Sequence, residues 1–174
     1  MIKTKEVIRE YLNELNQHHI ESVLDLGCGS GRISLKFAEK GIKTVGIDCT
    51  EKKISNKNFS FVKKDLREFD FNEKYDLIIA SLILHFFNYR KAVELINKMK
   101  DNTNKGGFNF LICMSNEDDL SKEKKENFYP DINSLKKIYS DWKIIKECQD
   151  FTEMENHDNL GEHKHNLIFL IIKK

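Results

Sequence analysis

Asp25, Gly27, Gly29 and Gly31 occupy alternate positions in "VLDLGCGSGRISLKF", between an apolar run and a segment with helical spacing. Glycines so placed let a chain turn sharply from strand to helix and let a ligand approach the backbone. The free N–H groups and positive dipole end of the helix that follows suit a polar or anionic group. Two familiar ligand classes fit this turn badly. A phosphate loop needs a Lys after its last glycine, and Arg32 stands there instead. A dinucleotide fingerprint counted from Gly27 would need glycine at Arg32, and counted from Gly29 it ends on Ser34.

Other residues extend the chemistry. Asp48 ends the strand-like "KTVGID" about twenty residues beyond the loop, and a carboxylate there can accept two hydroxyl donors. Asp65 ends "FVKKD" in the same manner. Cys28 and Cys49 flank the same site as small space-filling residues, with no base beside either to make a nucleophile. In "GEHKH", a strand would point His163 and His165 to one face and Lys164 to the other. Two imidazoles near neutrality can donate to an anion, act as a base, or join His157 around a metal.

The elements that must position these residues follow from periodicity. Val7, Ile8, Tyr11, Leu12 and Leu15 recur at helical spacing, so about the first eighteen residues form an amphipathic helix. "SVLDLG", "KTVGID", "FSFVKKDL", "YDLIIASLIL", "FNFLICM", "KIIKECQDF" and "HNLIFLIIKK" read as strands. Between them "RISLKFAEKG", ending on Gly41, "YRKAVELINKMKDNT" and "DINSLKKIYSDW", with Asp131 near its N-cap, read as helices. Lys105-Gly106-Gly107 marks a turn, and the polar "SNEDDLSKEKKEN" from Ser115 a loop that should hold no buried residue. Alternating β and α through the first hundred residues implies an α/β fold. It is a doubly wound, mostly parallel seven-stranded sheet whose last strand is antiparallel, because no helix separates the final two strands.

Bulk composition narrows the class. A chain of 174 residues fits one domain, residues 1–174, with one site. Lys plus Arg total 29 against 28 for Asp plus Glu, so no global field draws the protein to nucleic acid or an anionic bilayer. The four cysteines are scattered without a C-x-x-C pair, which implies reduced thiols in a cytoplasm. The charged N-terminus has no leader-like apolar core.

A third ligand class that uses such a glycine turn is S-adenosyl-L-methionine, and here the residues carry a family resemblance. "DLGCGSG" resembles motif I, D/E-x-G-x-G-x-G, of the class I methyltransferases, and the order of loop, Asp48, Asp65 and "YDLIIASLILHF" is similar over roughly residues 20 to 115. The resemblance implies a Rossmann-like methyltransferase fold. It also implies a cofactor site of Asp25, the glycines with Cys28, Asp48 with Cys49 at the ribose, and Asp65 with Leu66 at the adenine amino group. Ser81 and Leu82 would then lie beside the methionine moiety, with S-adenosyl-L-homocysteine as product. The lack of [DNS]-P-P-[YF] after the fourth strand favours a small-molecule acceptor over a nucleic-acid or glutamine amide.

The C-terminal half is similar to the TehB-type tellurite-resistance methyltransferases, through "INKMKDNTNKGGFNFLICM", "LKKIYSDWKIIKECQDF" and "NLGEHKH". That likeness implies acceptor-binding groups at His163 and Lys164, with His165 on the same face as His163, and His85 lining the acceptor cavity. Phe86, Phe87, Phe128 and Tyr129 are candidates to roof it. The expected acceptor is a soft nucleophile, a tellurite- or selenite-like oxyanion or a thiol. Alternatives are an organic O-, N- or C-acceptor with the His-x-His face as base, and a non-catalytic cofactor-binding or partner module. The protein is expected as a monomer or weak homodimer.

Overall fold

The computed structural model describes residues 1–156 and 162–174. Parallel strands β1 (Ser22–Leu26), β2 (Lys43–Asp48), β3 (Phe59–Lys63), β4 (Tyr75–Ser81) and β5 (Thr103–Met114) are joined by β9 (Asn166–Lys173) and β6 (Lys143–Phe151) in the order β3-β2-β1-β4-β5-β9-β6. β9 runs antiparallel between β5 and β6. A two-stranded excursion, β7 (Glu155–Asn156) with β8 (Glu162–His163), interrupts the final hairpin. The chain therefore winds outward from β1 through β2 to β3, then crosses to β4 on the other side. This places a topological switch point between β1 and β4.

Alternation along the strands explains the two layers. Ile168, Leu170 and Ile172 of β9 join Leu24, Ile78 and Leu111 in one core, covered by α3 (Tyr89–Asp101) and the helix Ile132–Ile138. Leu167, Phe169 and Ile171 join Val23, Leu77 and Phe110 in the other, under Tyr11 and Leu15 of α1 (Thr4–Leu15) and Phe37 of α2 (Leu35–Ala38). Strands buried on both faces read as continuous apolar runs, as "LIFLII" does. Among the described residues, no helix is long and apolar enough to cross a membrane.

Three local expectations are overturned. The helix expected over "RISLKFAEKG" is only the four residues of α2. Gly27, Gly29 and Gly31 all have left-handed backbones (φ 70°, 52° and 72°), so the chain leaves β1 through consecutive turns before any helix can start. A helix of one turn has little dipole, and that part of the ligand argument falls. Lys105-Gly106-Gly107 is no turn but lies inside β5, where pairing with β4 shifts register between Tyr75 and Leu77. A Cβ on Gly107 would come within 2.7 Å of the Asp76 carbonyl oxygen, so the bulge requires glycine there. The polar stretch after Ser115 is not wholly solvated: Ser115 and Asp118 are 0% and 1% exposed. The Ser115 hydroxyl donates to Asn166 Oδ1 at 2.6 Å, and Asp118 accepts from the Asn166 N–H at 3.0 Å. Their polarity serves the buried end of β9.

Candidate active site

Both arms of the site leave the C-terminal ends of β1 and β4 at the switch point. The glycine loop is tied to β2, since the Gly27 and Cys28 N–H groups both donate to the Ile47 carbonyl at 2.8 and 3.0 Å. The Gly29 N–H donates to Asp48 Oδ2 at 2.9 Å, and the Thr50 N–H donates to Oδ1 at 2.9 Å. Asp48 thus fixes the loop while keeping further lone pairs for a ligand. The turn after β4 is held by the Leu82 N–H, which donates to the Ile112 carbonyl at 2.8 Å. Leu82 has φ 52°, a left-handed backbone that costs a branched residue about 1–3 kcal/mol and persists only where its surroundings impose it.

The three glycines are not equivalent. A Cβ on Gly27 would lie 2.6 Å from Ile83, and one on Gly31 would lie 3.0 Å from Ile54, so these two admit neighbouring side chains. A Cβ on Gly29 would meet nothing within 4 Å, so this one opens onto space. Gly29→Ala is therefore expected to cost only the backbone strain, about 1–2 kcal/mol. Gly27→Ala should add about 1–3 kcal/mol of overpacking. Thermal denaturation checks this: equal melting temperatures for the two variants would contradict it.

Adjoining cavities form a row along this edge. A cleft of about 430 Å³ is walled by Gly27, Asp48, Cys49, Asp65, Leu66, Arg67, Ile83, Phe86 and Phe87. It shares Gly27 with a cavity of about 230 Å³, whose walls include Asp25, Cys28, Gly29, Arg32, Ser81 and Leu82. That one shares Arg32 and Leu82 with a third, of about 660 Å³, walled also by Ile2, Lys3, Lys5, Met114, Glu153, His165 and Leu167. All eleven residues expected at the cofactor thus fall on the first two cavities except Gly31, which packs behind them.

Charge is arranged unevenly along the row. Burial pushes the Asp25 carboxyl up to about 6; the Ser34 hydroxyl opposes the rise and the Asp48 charge adds to it. A buried acid so poised is suited to a cationic group. Burial also pushes the Cys28 thiol up to about 12, with Asp25 and Asp48 adding, which keeps it protonated and space-filling against Gly46. Asp65 is already engaged by Arg67: the guanidinium donates from Nε to Oδ1 at 3.0 Å and from Nη2 to Oδ2 at 2.6 Å. This pairing holds the Asp65 carboxyl down at about 2. For Asp65 to receive an amino group, either the lone pairs left on its carboxylate must serve or Arg67 must yield one edge of it. The only sequence sign of that pairing was the two-residue spacing.

Of the histidines, His165 reaches the wall of the third cavity. His163 packs edge-on to it, ring centroids 4.9 Å apart, and Lys164 Nζ lies 3.2 Å from Met1 Sδ; neither is a wall residue. His85 lies tilted against Phe86, ring centroids 4.3 Å apart, with Tyr129 6.2 Å away, and lines none of the three cavities. Burial, with Lys124 adding, lowers His85 to about 4, so its ring is neutral at pH 7, and its Nδ1 has no hydrogen-bond partner among the described residues. Phe86 and Phe87 border the Asp48 cleft and not the His165 cavity, and Phe128 is buried in the core. His157 lies outside the described residues, and among those described no three His, Cys, Asp or Glu side chains group to hold a metal. The sequence reading missed Arg32, which the second and third cavities share, and Asp118, whose Oδ2 lies 3.0 Å from His165 Nδ1. A cation directly after the glycine loop was a usable signal for the first; nothing local marked the second.

A profile of the family described as tellurite resistance protein TehB matches residues 6–171. A probable S-adenosyl-L-methionine-dependent methyltransferase TehB of Haemophilus influenzae is 30% identical over 148 residues, covering 80% of this chain and 52% of that protein. The chain spans about half the length of the curated relatives it matches first. The crystal structure of TehB from Haemophilus influenzae superposes with TM-score 0.77 at 24% identity, covering 95% of this chain and 62% of that one. The N-methyltransferase NodS of Bradyrhizobium japonicum, crystallised with S-adenosyl-L-homocysteine, superposes with TM-score 0.71 at 16% identity over 98% of this chain and 86% of its own. The magnesium protoporphyrin IX methyltransferase of Synechocystis PCC 6803, with the same molecule bound, gives 0.72 at 18% identity over 98% and 80%. Acceptors so different on one fold leave the acceptor to local side chains.

Proposed function

The chain belongs to the tellurite resistance protein TehB family, and from that premise we propose that it is a methyltransferase using S-adenosyl-L-methionine and leaving S-adenosyl-L-homocysteine. The observation that carries this reading is the row of adjoining cavities, which follows the order of parts in such a donor. Asp48 and Asp65 line a cleft fit for a nucleoside, and buried Asp25 lines a smaller cavity fit for an ammonium group. Gly29 opens where a side chain would obstruct. The donor supplies a methyl on a sulfonium, whose transfer is an in-line displacement. The protein's share is alignment and exclusion of water, which can be worth roughly 7–11 kcal/mol of barrier.

The third cavity receives the acceptor, a small soft nucleophile: a tellurite- or selenite-like oxyanion, or a thiol. Arg32, Lys3 and Lys5 on its walls outnumber Glu6 and Glu153, and Met114 and Leu82 supply soft apolar surface. An organic O-, N- or C-acceptor is the second reading, favoured by a volume of about 660 Å³, within the range of cavities that enclose organic ligands. The protein would act on this small molecule in the cytoplasm, as a monomer or weak homodimer, without nucleic acid or membrane.

Calorimetry with S-adenosylmethionine tests the donor, and methyl-labelled donor offered with tellurite, selenite, thiols and phenols tests the acceptor. Micromolar binding with label transferred to a chalcogen or thiol is expected. Absence of binding overturns the assignment. Binding without transfer to any acceptor, with a persistent partner on purification, supports the non-catalytic module instead.

A further inference from the structure

His165, on the wall of the third cavity, is paired behind that wall with a buried carboxylate that the donor reading leaves unused. His165 Nδ1 lies 3.0 Å from Asp118 Oδ2, with side chains 10% and 1% exposed. Asp118 is held in turn: Oδ2 also accepts the Asn166 N–H at 3.0 Å, and Oδ1 accepts the Leu120 N–H at 3.0 Å. The backbone of His165 is fixed as well, donating to Thr152 Oγ1 at 3.1 Å and accepting from the Thr152 N–H at 2.8 Å. Burial works to raise the Asp118 carboxyl, but His165 and the two N–H groups hold it below its ordinary value, so it is a carboxylate with no hydrogen to give. Nδ1 must then carry a hydrogen, and whenever the ring is neutral Nε2 is its basic nitrogen. Among the described residues, His163 from β8 packs on this ring, His85 from beyond β4 acts on it electrostatically with Lys124 near, and Lys3, Lys5, Glu6, Arg32 and Glu153 line the cavity it borders.

Resting on the methyl-transfer reading above, we propose that Asp118 is a positioning residue that holds His165 as the base for the acceptor, and that the acceptor is an organic thiol. His165 Nε2 takes the S–H proton as the acceptor sulfur forms its bond to the methyl carbon. The donor's carbon–sulfur bond breaks with its electron pair staying on the donor sulfur, and the imidazolium, steadied by the Asp118 charge, passes the proton to water. A thiol needs this help near neutrality because its own ionisation lies near pH 8.5. A chalcogen oxyanion already has its lone pair and has no proton to lose from the attacking atom. The cavity also suits an organic body: Ile2, Leu82, Met114 and Leu167 give it apolar walls, and about 660 Å³ far exceeds what one small oxyanion fills.

The test compares wild type with Asp118→Asn, using methyl-labelled donor with 2-mercaptoethanol or tellurite at pH 7 and pH 9. With the thiol at pH 7, kcat/KM of the variant should fall about 10²- to 10⁴-fold. The deficit should shrink at pH 9, where a much larger share of the thiol ionises unaided than at pH 7. Donor affinity by calorimetry should not change. Nitrogen-15 NMR of the wild-type ring reads the pair without any variant and should show the hydrogen on Nδ1. A ring hydrogen on Nε2 alone, an equal deficit at both pH values, or transfer to tellurite and never to the thiol overturns the proposal. Failure of the wild type to bind donor overturns the methyl-transfer reading with it, whereas binding with an unaltered thiol profile overturns this inference alone.

Discussion

Asp48→Ala should weaken S-adenosylmethionine binding about 10²- to 10⁴-fold, while the sheet survives. Asp48 stands at the end of β2 with one oxygen on the Gly29 N–H and the other on the Thr50 N–H. It thereby shapes the glycine loop, and in the proposed function its remaining lone pairs would accept from the ribose hydroxyls. Hydrogen bonds to a charged group are each worth about 1.5–3 kcal/mol, and two of them vanish with the carboxylate. The apoprotein should lose far less, because Asp48 is only half-buried and water can satisfy the two freed N–H groups. Calorimetry measures the affinity and thermal denaturation the fold. Unchanged affinity would sink the donor assignment, and a collapse of folding would mean that the loop, not the ligand, depends on Asp48.

Asp25→Asn should separate stability from binding in the opposite sense. The Asp25 carboxyl is raised to about 6 in the folded chain, above its ordinary value of 3.8. Between about pH 4 and pH 6 the folded protein therefore holds a proton that the unfolded chain has released, so stability falls as pH rises through that window and stays reduced above it. A shift of this size corresponds to roughly 3 kcal/mol, fully felt at pH 8 and absent below pH 4. Asn carries no charge to bury. The variant should thus melt several degrees above wild type at pH 8, and the difference should vanish near pH 4. Yet it should bind S-adenosylmethionine about 10²-fold more weakly, because an amide cannot neutralise an ammonium group. Wild type should also release a proton on binding at pH 6, as the cation pulls Asp25 back to its ionised form. Calorimetry in buffers of different ionisation enthalpy would detect it. Melting curves that stay parallel from pH 4 to pH 8 would contradict this account.

The fold was legible because its signals are local and repeated. Apolar runs of strand length alternate with 3.6-residue stripes, and Ala92, Leu95, Ile96 and Met99 lie in the core under α3 as their spacing requires. Lone residues were harder. "RISLKFAEKG" has helical spacing, but successive left-handed glycines took up the turns that a helix would have used. Gly106 and Gly107 carry a turn's composition, yet a long strand passes through them with a bulge.

The sequence by itself determined the order of the elements, the seven-stranded sheet with its antiparallel last strand, and the glycine loop followed by Asp48 and Asp65. Each of these rests on residue types within a few positions of one another, where hydrophobic period, turn chemistry and strand-end carboxylates act locally. Only the tertiary structure decided which histidine borders a cavity, that Arg67 engages Asp65, and that Arg32 joins two chambers. It alone brought Asp118 to His165, 47 positions apart in the chain. A polar stretch can be solvated or can satisfy buried donors, and its composition is the same in both cases. The buried end of β9, with its own N–H groups and an imidazole to satisfy, draws Ser115 and Asp118 inward.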